Sequence, residues 1–330
     1  MEQSFTSFKE IKHWHDQHLL THQFHTDELN HFHESIRKNI FFLTLKEVKQ
    51  EYGSPPCSFT WFVVGSAGRW EQAVHSDQDH GIMFEKSGET EERYFLLLGK
   101  RLSENLYSAG YPYCDGKVMS HNPVWCRSRA GWAVQVKRWL EAGTWEAFRY
   151  LHILFDAREV IGPSEPVRWL KRIVGEYLHE HPSLLKALME NMLHVESGVG
   201  LFNHFIKVRS GPYTGSLDIK HTAFFPYVNA ARILAMKENI ERTATLERLE
   251  ELGRYECYSQ QAERAKKNFQ KLLHYRLMYS ETARYEDAHY LYVNKMNAKE
   301  KSELKQIIKG GKELHRFTQE VIERAVHYEC

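Results

Sequence analysis

The segment at residues 61–85 constrains the fold more than any other part of the chain. Residues 59–64 form a short apolar run rich in β-branched and aromatic side chains, which predicts a buried strand. A Gly-Ser turn at Gly65 and Ser66 then opens a short helix. Residues 81–84 are again apolar and predict a second strand. The segment therefore predicts a strand, a turn, a short helix and a second strand.

Two acidic residues at the head of the second predicted strand are chemically informative. Asp77 and Asp79 are two positions apart, and strand side chains alternate with period two, so both carboxylates are expected on one face. Two like charges on one face repel each other unless a cation lies between them. The pair predicts a cation site, and a solvated strand end is the simpler alternative. A calcium loop fits less well, because Gln78 and His80 do not continue its pattern.

Composition and charge bound the class of protein. The chain has 330 residues, 42% of them apolar and 26% charged, with a net charge of +1. This is ordinary for a globular protein of two or three domains, so neither nucleic acid nor a membrane is an expected partner. The five scattered cysteines, without a CxxC pair, argue against a disulfide framework or a zinc ribbon. No secretion signal is recognisable, and we expect a cytoplasmic protein.

Breaks in the apolar pattern predict three segments. A helical segment at 1–52 ends in a Gly-Ser-Pro-Pro sequence, a mixed segment follows at 53–165, and helical patterns fill 166–330. In the first segment, which reads as helical up to residue 51, His18 and His22 have the i, i+4 spacing that can hold a metal ion. A polar helical hairpin that caps the next domain is the favoured interpretation, because no third ligand is evident.

The predicted fold class is α+β. A small mixed sheet is flanked by the N-terminal helical segment and by an all-α C-terminal domain. Residues 113–119 are a candidate third strand, although Gly116 weakens that prediction. One of the helices predicted in the C-terminal half runs over 183–208.

Several separate motifs resemble one protein superfamily. Gly65-Ser66, followed after ten residues by Asp77-x-Asp79, resembles the nucleotidyltransferase signature of the DNA polymerase β superfamily. The fuller sequence at 65–71 is more similar to the uridylyltransferases of the PII signal protein and to the related DUF294 family. Further segments resemble later parts of DUF294 proteins, so that the resemblance covers about residues 30–255. These segments are 118–125, 155–162, 217–220 and 226–235.

The resemblance implies a metal-dependent transferase that uses Mg²⁺ or Mn²⁺. Such an enzyme moves NMP from an NTP (ATP or UTP) to a hydroxyl group and releases pyrophosphate. The acceptor is a protein side chain, as in the PII uridylyltransferases, or a small molecule. Asp77 and Asp79 are the expected metal ligands, since metal ions held by shared carboxylates neutralise the triphosphate and acidify the attacking hydroxyl.

The expected nucleotide-binding residues lie in the turn and the short helix. Gly65 allows the backbone to approach the phosphates, and Ser66 offers a hydroxyl donor. Gly68 belongs to the same turn. Arg69 can bind a phosphate through its fork of N–H donors, and Glu71 either orients Arg69 or binds through water.

A third carboxylate is the main open question. Active members of the superfamily add one from a later strand to accept the proton of the attacking hydroxyl. Asp115 is the first candidate here and Asp156 the second. If neither reaches the metal ions, the alternative is a regulatory module that binds nucleotide without transferring it. Asp218 and Lys220, in a loop of the C-terminal half, either reach the nucleotide or form salt bridges.

Overall fold

The computed structural model describes residues 5–23, 25–192 and 196–327. The chain is an α+β protein, 63% helical, with a small mixed four-stranded sheet, as predicted. The helices are α1 (Phe8–His18), α2 (Thr26–Tyr52), α3 (Gly65–Gly68), α4 (Glu89–Ser108), α5 (Arg129–Ala142), α6 (Trp145–Phe155), α7 (Glu165–Glu180), α8 (Pro182–Glu190), α9 (Phe225–Lys237), α10 (Thr245–Leu252), α11 (Ser259–Tyr279) and α12 (Ala298–His327). The strands are β1 (Phe59–Val63), β2 (His80–Phe84), β3 (Cys126–Ser128), β4 (Arg158–Ile161), β5 (Leu217–Asp218) and β6 (Tyr290–Leu291).

The contacts divide the chain into two compact units. Unit 1 comprises Met1–Glu141 and Ile153–Ile173, and unit 2 comprises Ala142–His152 and Val174–Cys330. Unit 1 contains the four-stranded sheet in the order β3-β2-β1-β4. The central strand β1 pairs antiparallel with β2 on one side and with β4 on the other, while β2 and β3 are parallel.

Aromatic side chains on both faces of β1 form the core of unit 1. Trp61 stacks on Phe41 of α2 at a ring distance of 4.9 Å. The next residue along the strand, Phe62, faces the other way and packs edge-to-face on Trp132 of α5 at 5.7 Å. Because successive side chains of a strand point to opposite faces, one aromatic pair anchors helices to each side of the sheet.

Two secondary-structure predictions, for residues 113–119 and for residues 183–208, are wrong. Residues 113–119 form no strand, because Cys114 begins a tight turn in which its carbonyl accepts the Lys117 N–H at 2.9 Å. The third and fourth strands are instead β3 and β4, which are three and four residues long, too short for an alternating pattern to be visible. The predicted helix at 183–208 ends at Glu190, and the described residues from 196 to 208 are not helical.

The N-terminal helix is also shorter than predicted. The first helix ends at His18 and the second begins at Thr26, so His18 and His22 do not share a helix. The His18 ring bonds to the carbonyl of Trp14 at 2.8 Å and stacks on the Trp14 ring. Among residues 5–23 and 25–52, no cluster of three metal-ligating side chains is found.

Unit 2 is built around α9, whose side chains are buried along most of its length. Helices α10, α11 and α12 contribute buried leucines and isoleucines to this core. The two-residue strands β5 and β6 pair antiparallel at its edge and are the exception to the predicted all-helical character. In the part of the chain that the structure describes, no helix combines the length and apolar character that crossing a membrane requires.

Candidate metal and nucleotide site

The sheet itself brings the predicted turn and the predicted acidic pair together. Strands β1 and β2 are antiparallel, and Val63 at the end of β1 lies opposite His80 at the start of β2. The pairing continues one residue further, where the Val64 N–H donates to the carbonyl of Asp79 at 3.0 Å. The residue after Val64 is Gly65, so the turn begins directly beside Asp79.

Glycine at position 65 meets two separate requirements. Its φ is +58°, a left-handed conformation that L-residues with a side chain adopt at a cost. A Cβ atom at this position would also overlap Oδ2 of Asp79. Because glycine has no side chain, the turn leaves room for the Asp79 carboxylate. The Cβ of any other residue would occupy that room.

The two predicted carboxylates converge, and a thiol joins them. One ligand atom each from Asp77, Asp79 and Cys114 lie within 4.8 Å of one another. Asp77 and Asp79 precede the strand that begins at His80 rather than lying within it. Their extended backbone nevertheless keeps the expected period of two. All three side chains are partly exposed, so an ion from solvent can reach them.

The acidic pair is electrostatically strained without a cation. Burial raises the pKa of Asp79 well above its ordinary value, and the neighbouring charge of Asp77 raises it further. A hydrogen bond from the Cys114 thiol and the charges of Arg69 and Arg37 act in the opposite direction but do not outweigh these two effects. A bound divalent cation would act in the same direction as the two arginines and favour the ionised carboxylate.

Arg37 is a site neighbour that sequence reasoning missed. It lies on α2, where one guanidinium N–H donates to Gln72 Oε1 at 2.5 Å and another to the backbone carbonyl of Asp77 at 3.4 Å. The guanidinium also lies over the Tyr111 ring, 4.9 Å from its centroid. Nothing in the sequence spacing signals this contact, because Arg37 and Asp77 are 40 residues apart.

Backbone hydrogen bonds hold the Cys114 segment against the acidic pair. The Gln78 N–H donates to the carbonyl of Pro112, and the His80 N–H donates to the carbonyl of Val118, both at 3.0 Å. The Gln78 amide side chain also donates to the carbonyl of Tyr111 at 2.9 Å. The segment is therefore irregular but fixed. Cys114 was missed because only these long-range bonds, and no motif, place it beside Asp79.

The structure does not bring Asp115 into this group. Asp115 is exposed and lies in the turn that follows Cys114. The residue at the acidic pair is its neighbour Cys114. The predicted role of Asp115 as the third carboxylate remains a prediction.

Asp156 lies in a second charged cluster, on the other side of β1. The Arg69 guanidinium donates from Nε to Glu71 Oε2 at 2.7 Å and from Nη1 to Asp156 Oδ2 at 2.6 Å, and all three side chains are buried. Burial alone would lower the pKa of Arg69, but the two carboxylates outweigh that effect and raise it. We call this cluster the Arg69 triad. Glu71 thus contacts Arg69, and its role toward a nucleotide stays a prediction.

The remaining predicted nucleotide-binding residues lie in α3. A Cβ at Gly68 would overlap the carbonyl oxygen of Asp156, so this glycine permits close packing of the turn against the chain that leads into β4. The hydroxyl of Ser66 lies 3.4 Å from that of Ser76. Their contacts with a nucleotide remain predictions.

The donor set fits a divalent cation. Carboxylate oxygens are the ligands that Mg²⁺ and Mn²⁺ prefer, and a thiolate adds affinity for softer ions. The space that Gly65 leaves open lies directly beside one of these oxygens.

Two family models match the chain over most of its length. The model described as "Putative nucleotidyltransferase DUF294" matches residues 13–146, and the model "Putative nucleotidyltransferase substrate binding domain" matches residues 182–322. The chain belongs to the DUF294 family. The first match contains the acidic pair, the Gly65 turn and Cys114. No match is found among curated proteins.

The second match contains the two polar residues predicted in the C-terminal loop. The Asp218 carboxylate accepts two hydrogen bonds from His221: Oδ1 accepts from the backbone N–H and Oδ2 from the ring Nδ1, both at 3.0 Å. Lys220 lies with its ammonium 5.6 Å from the centre of the Phe225 ring and begins a short π-helix, Lys220–Phe224. In unit 2 the Asp218 carboxylate therefore orients the partly exposed imidazole of His221.

Proposed function

We propose that this DUF294 protein is a metal-dependent nucleotidyltransferase, which moves NMP from an NTP to a hydroxyl acceptor and releases pyrophosphate. The single observation that carries the proposal is the convergence of Asp77 and Asp79 beside the Gly65 turn. Family membership places this geometry in a nucleotidyltransferase context.

Each side chain of the site has a defined task in this proposal. Asp77 and Asp79 hold Mg²⁺ or Mn²⁺. When bound, the metal neutralises the triphosphate and lowers the pKa of the attacking hydroxyl. Gly65 keeps the space beside Asp79 free of a side chain, so that the backbone of the turn would be able to approach the phosphates. The Ser66 hydroxyl donates to a phosphate oxygen at the start of α3.

In the proposal, the Arg69 triad positions the site. Arg69 is bonded to both Glu71 and Asp156, and it thereby ties the end of α3 to the chain that leads into β4. This connection fixes the turn on which Gly65 and Ser66 lie. A rigid turn holds the triphosphate in one orientation, and orientation supplies much of the catalysis of phosphoryl and nucleotidyl transfer.

The acceptor is expected to be a hydroxyl of a protein side chain, as the resemblance to PII uridylyltransferases implies, or of a small molecule. The segment that matches the substrate-binding family, residues 182–322, is the candidate to bind it. Within that segment, the imidazole oriented by Asp218 offers a polar contact for a hydroxyl group.

A second function is favoured by one specific observation. The third member of the described cluster is Cys114 rather than a carboxylate, while Asp115 is exposed and Asp156 is bonded to Arg69. A site without a third carboxylate lacks the usual base for the acceptor hydroxyl. The alternative is therefore a regulatory module that binds nucleotide and transfers it weakly or not at all.

Incubation with α-labelled NTPs, Mn²⁺ and cell extract tests the proposal. We expect labelled acceptor and pyrophosphate from the wild-type protein, and a loss of about 100-fold or more in Asp77→Asn, since that variant lacks a metal ligand. Glu141→Gln, which changes an exposed carboxylate paired only loosely with Lys137, is the matched control. Transfer that survives Asp77→Asn would overturn the assignment. Binding of NTP without pyrophosphate release would favour the regulatory alternative.

The variant Asp115→Asn tests whether Asp115 is the base that accepts the proton of the acceptor hydroxyl. If Asp115 is the predicted base, this variant loses transfer as severely as Asp77→Asn. The exposed position of Asp115 predicts instead that transfer persists. The measurement is the initial rate of pyrophosphate release.

A further inference from the structure

Cys114 differs from the other described cysteines in its surroundings. Cys126 is buried within the sheet, where burial raises its pKa, and Cys257 is exposed. Cys57 is partly exposed and accepts only a weak bond from the Lys86 N–H at 3.5 Å. Cys114 alone of the four has its sulfur among carboxylate oxygens.

We infer that the Cys114 sulfur is a direct ligand of the cation held by Asp77 and Asp79, and that the site therefore prefers a thiophilic divalent cation to Mg²⁺. This inference rests on the cation site of the proposed function. It adds the identity of the third ligand and the class of metal.

The distances among the three ligand atoms are suited to one shared ion. Ligand oxygen and sulfur atoms lie about 2.0–2.3 Å from a bound transition-metal ion, so two ligands of one ion are separated by at most about 4.5 Å. The three ligand atoms lie within 4.8 Å of one another, slightly more than this limit. Small side-chain rotations therefore suffice to close the site.

The backbone fixes Cys114 at this position. The flanking residues Pro112 and Val118 accept hydrogen bonds from Gln78 and His80, which border the two aspartates on the chain. These two hydrogen bonds hold the segment that contains Cys114 against the segment that contains Asp79, and they thereby fix the sulfur beside the Asp79 carboxylate. This is the arrangement of a ligand supplied from a second segment, and such preorganisation is what metal sites require.

The proton balance of binding is simple. In the ion-free protein the Cys114 S–H donates a hydrogen bond to the Asp79 carboxylate. Binding of M²⁺ breaks the S–H bond, forms an S–M bond and releases one proton to solvent. No oxidant or reductant is involved.

The chemical consequence is a change in metal preference. Mg²⁺ binds oxygen ligands almost exclusively, whereas a thiolate favours softer ions such as Zn²⁺, Co²⁺ and Cd²⁺. Removal of the sulfur should therefore weaken the binding of soft ions and leave the binding of Mg²⁺ nearly unaffected. We expect Cys114→Ser to lose about tenfold or more in Cd²⁺ affinity and to change Mg²⁺ affinity less than about twofold.

Absorbance during titration of the full chain with Co²⁺ or Cd²⁺ tests the inference without any measurement of activity. A thiolate ligand gives a sulfur-to-metal charge-transfer band, which carboxylates alone do not produce. We expect the band in wild-type protein at one ion per chain, and its loss in Cys114→Ser. Cys57→Ser is the matched control, because it removes another partly exposed thiol of unit 1 and should leave the band unchanged.

Two results would overturn the inference. The first is a band that persists in Cys114→Ser, which would assign it to another cysteine. The second is Co²⁺ binding by calorimetry, abolished by Asp77→Asn, with no charge-transfer band in the wild type. The thiol would then act only as a hydrogen-bond donor to Asp79.

Failure of the inference and failure of the proposed function give different results. A charge-transfer band that requires Cys114 and Asp77, in a protein that transfers no NMP, supports the inference and contradicts the transferase proposal. Undiminished NMP transfer by Cys114→Ser, together with no charge-transfer band in the wild type, supports the transferase proposal and contradicts the inference about Cys114.

Discussion

Two clusters of acidic side chains flank the end of β1, and they differ in the charged groups that surround them. Because β1 is antiparallel to both neighbours, the start of β2 and the start of β4 both lie beside its final residues. Asp79 directly precedes β2, and Asp156 lies two residues before β4. The two aspartates thus lie on opposite sides of the end of one strand.

The clusters on the β4 side and the β2 side differ in how their negative charge is compensated. On the β4 side, Arg69 bonds to both Glu71 and Asp156, so that the chain supplies its own cation. On the β2 side, the described partners of Asp79 include a second carboxylate and a thiol, and the pKa of Asp79 is raised by burial and by Asp77. The comparison teaches that the fold supplies a cation to the first cluster, whereas in our proposal a bound ion completes the second.

Replacing Arg69 gives the largest expected effect. Arg69→Met removes the guanidinium and leaves two carboxylates buried without it, which should lower the free energy of unfolding by about 3–5 kcal/mol. Denaturant unfolding of the purified chain measures the change. Arg69→Lys, which keeps the charge but loses the fork of donors, should lose less. A loss below about 1 kcal/mol in Arg69→Met would contradict the structural role of the Arg69 triad.

Neutralising one carboxylate on each side sharpens the comparison. Glu71→Gln removes a charge-assisted bond to Arg69 and should cost about 2 kcal/mol. Asp77→Asn removes a like charge beside Asp79 and, in chelator, should leave stability unchanged or raise it by up to about 1 kcal/mol. Urea denaturation of both variants under identical conditions makes the comparison. Equal destabilisation would remove the contrast between the two clusters.

Adding one methyl group at Gly65 should disturb the β2 side alone. Gly65→Ala forces an L-residue into φ +58° and overlaps Asp79 Oδ2, for an expected loss of about 1–2 kcal/mol of stability and tenfold or more of Mn²⁺ affinity. Gly143→Ala is the control, because Gly143 has φ +60° with nothing within 4 Å of the added carbon. It should show the backbone cost without any loss of Mn²⁺ affinity by calorimetry.

Outside the two acidic clusters, the fold keeps one buried histidine neutral. His33 bonds to the hydroxyl of Tyr111 at 2.9 Å and to the carbonyl of Ala73 at 3.0 Å. Burial, aided by the charge of Arg37, holds the pKa of His33 well below 6.5. Below pH 6.5 the unfolded chain therefore binds a proton that the folded chain does not, and stability falls as the pH decreases.

This linkage gives the smallest of the expected effects. His33→Gln should reduce the pH dependence of the free energy of unfolding between pH 6.5 and 5 by about 1.4 kcal/mol per pH unit. The same substitution at the exposed His13 serves as the control. An unchanged slope in His33→Gln would mean that folding does not lower the pKa of His33.

The sequence predicts the β2 side of the site better than the β4 side. Asp77, Asp79 and Gly65 lie within fifteen residues, and strand periodicity and turn chemistry are local properties, so their convergence was predictable. Arg69 was predicted to bind phosphate, and the structure shows it bonded to Asp156, 87 residues away. That contact depends on the pairing of β1 with β4, a four-residue strand whose half-buried side chains give no alternating pattern.

The same physical limit explains the error at 113–119. This short segment with a glycine was a candidate strand, but its neighbourhood is joined to Gln78 and His80 by single backbone hydrogen bonds, at Pro112 and Val118, rather than by a ladder. The position of Cys114 follows from those contacts. By contrast, the fold class was predictable, because long amphipathic helices such as α4 and α12 carry strong periodic patterns.

The central claim is that the acidic pair binds a nucleotide through a divalent cation, and calorimetric titration with NTP tests it most directly. In the presence of Mn²⁺ the wild-type protein should bind one NTP per chain. Binding should weaken at least tenfold in chelator and in Asp77→Asn, and remain unchanged in Glu141→Gln. NTP binding that is equally tight in chelator, or equally tight in Asp77→Asn, would contradict the account.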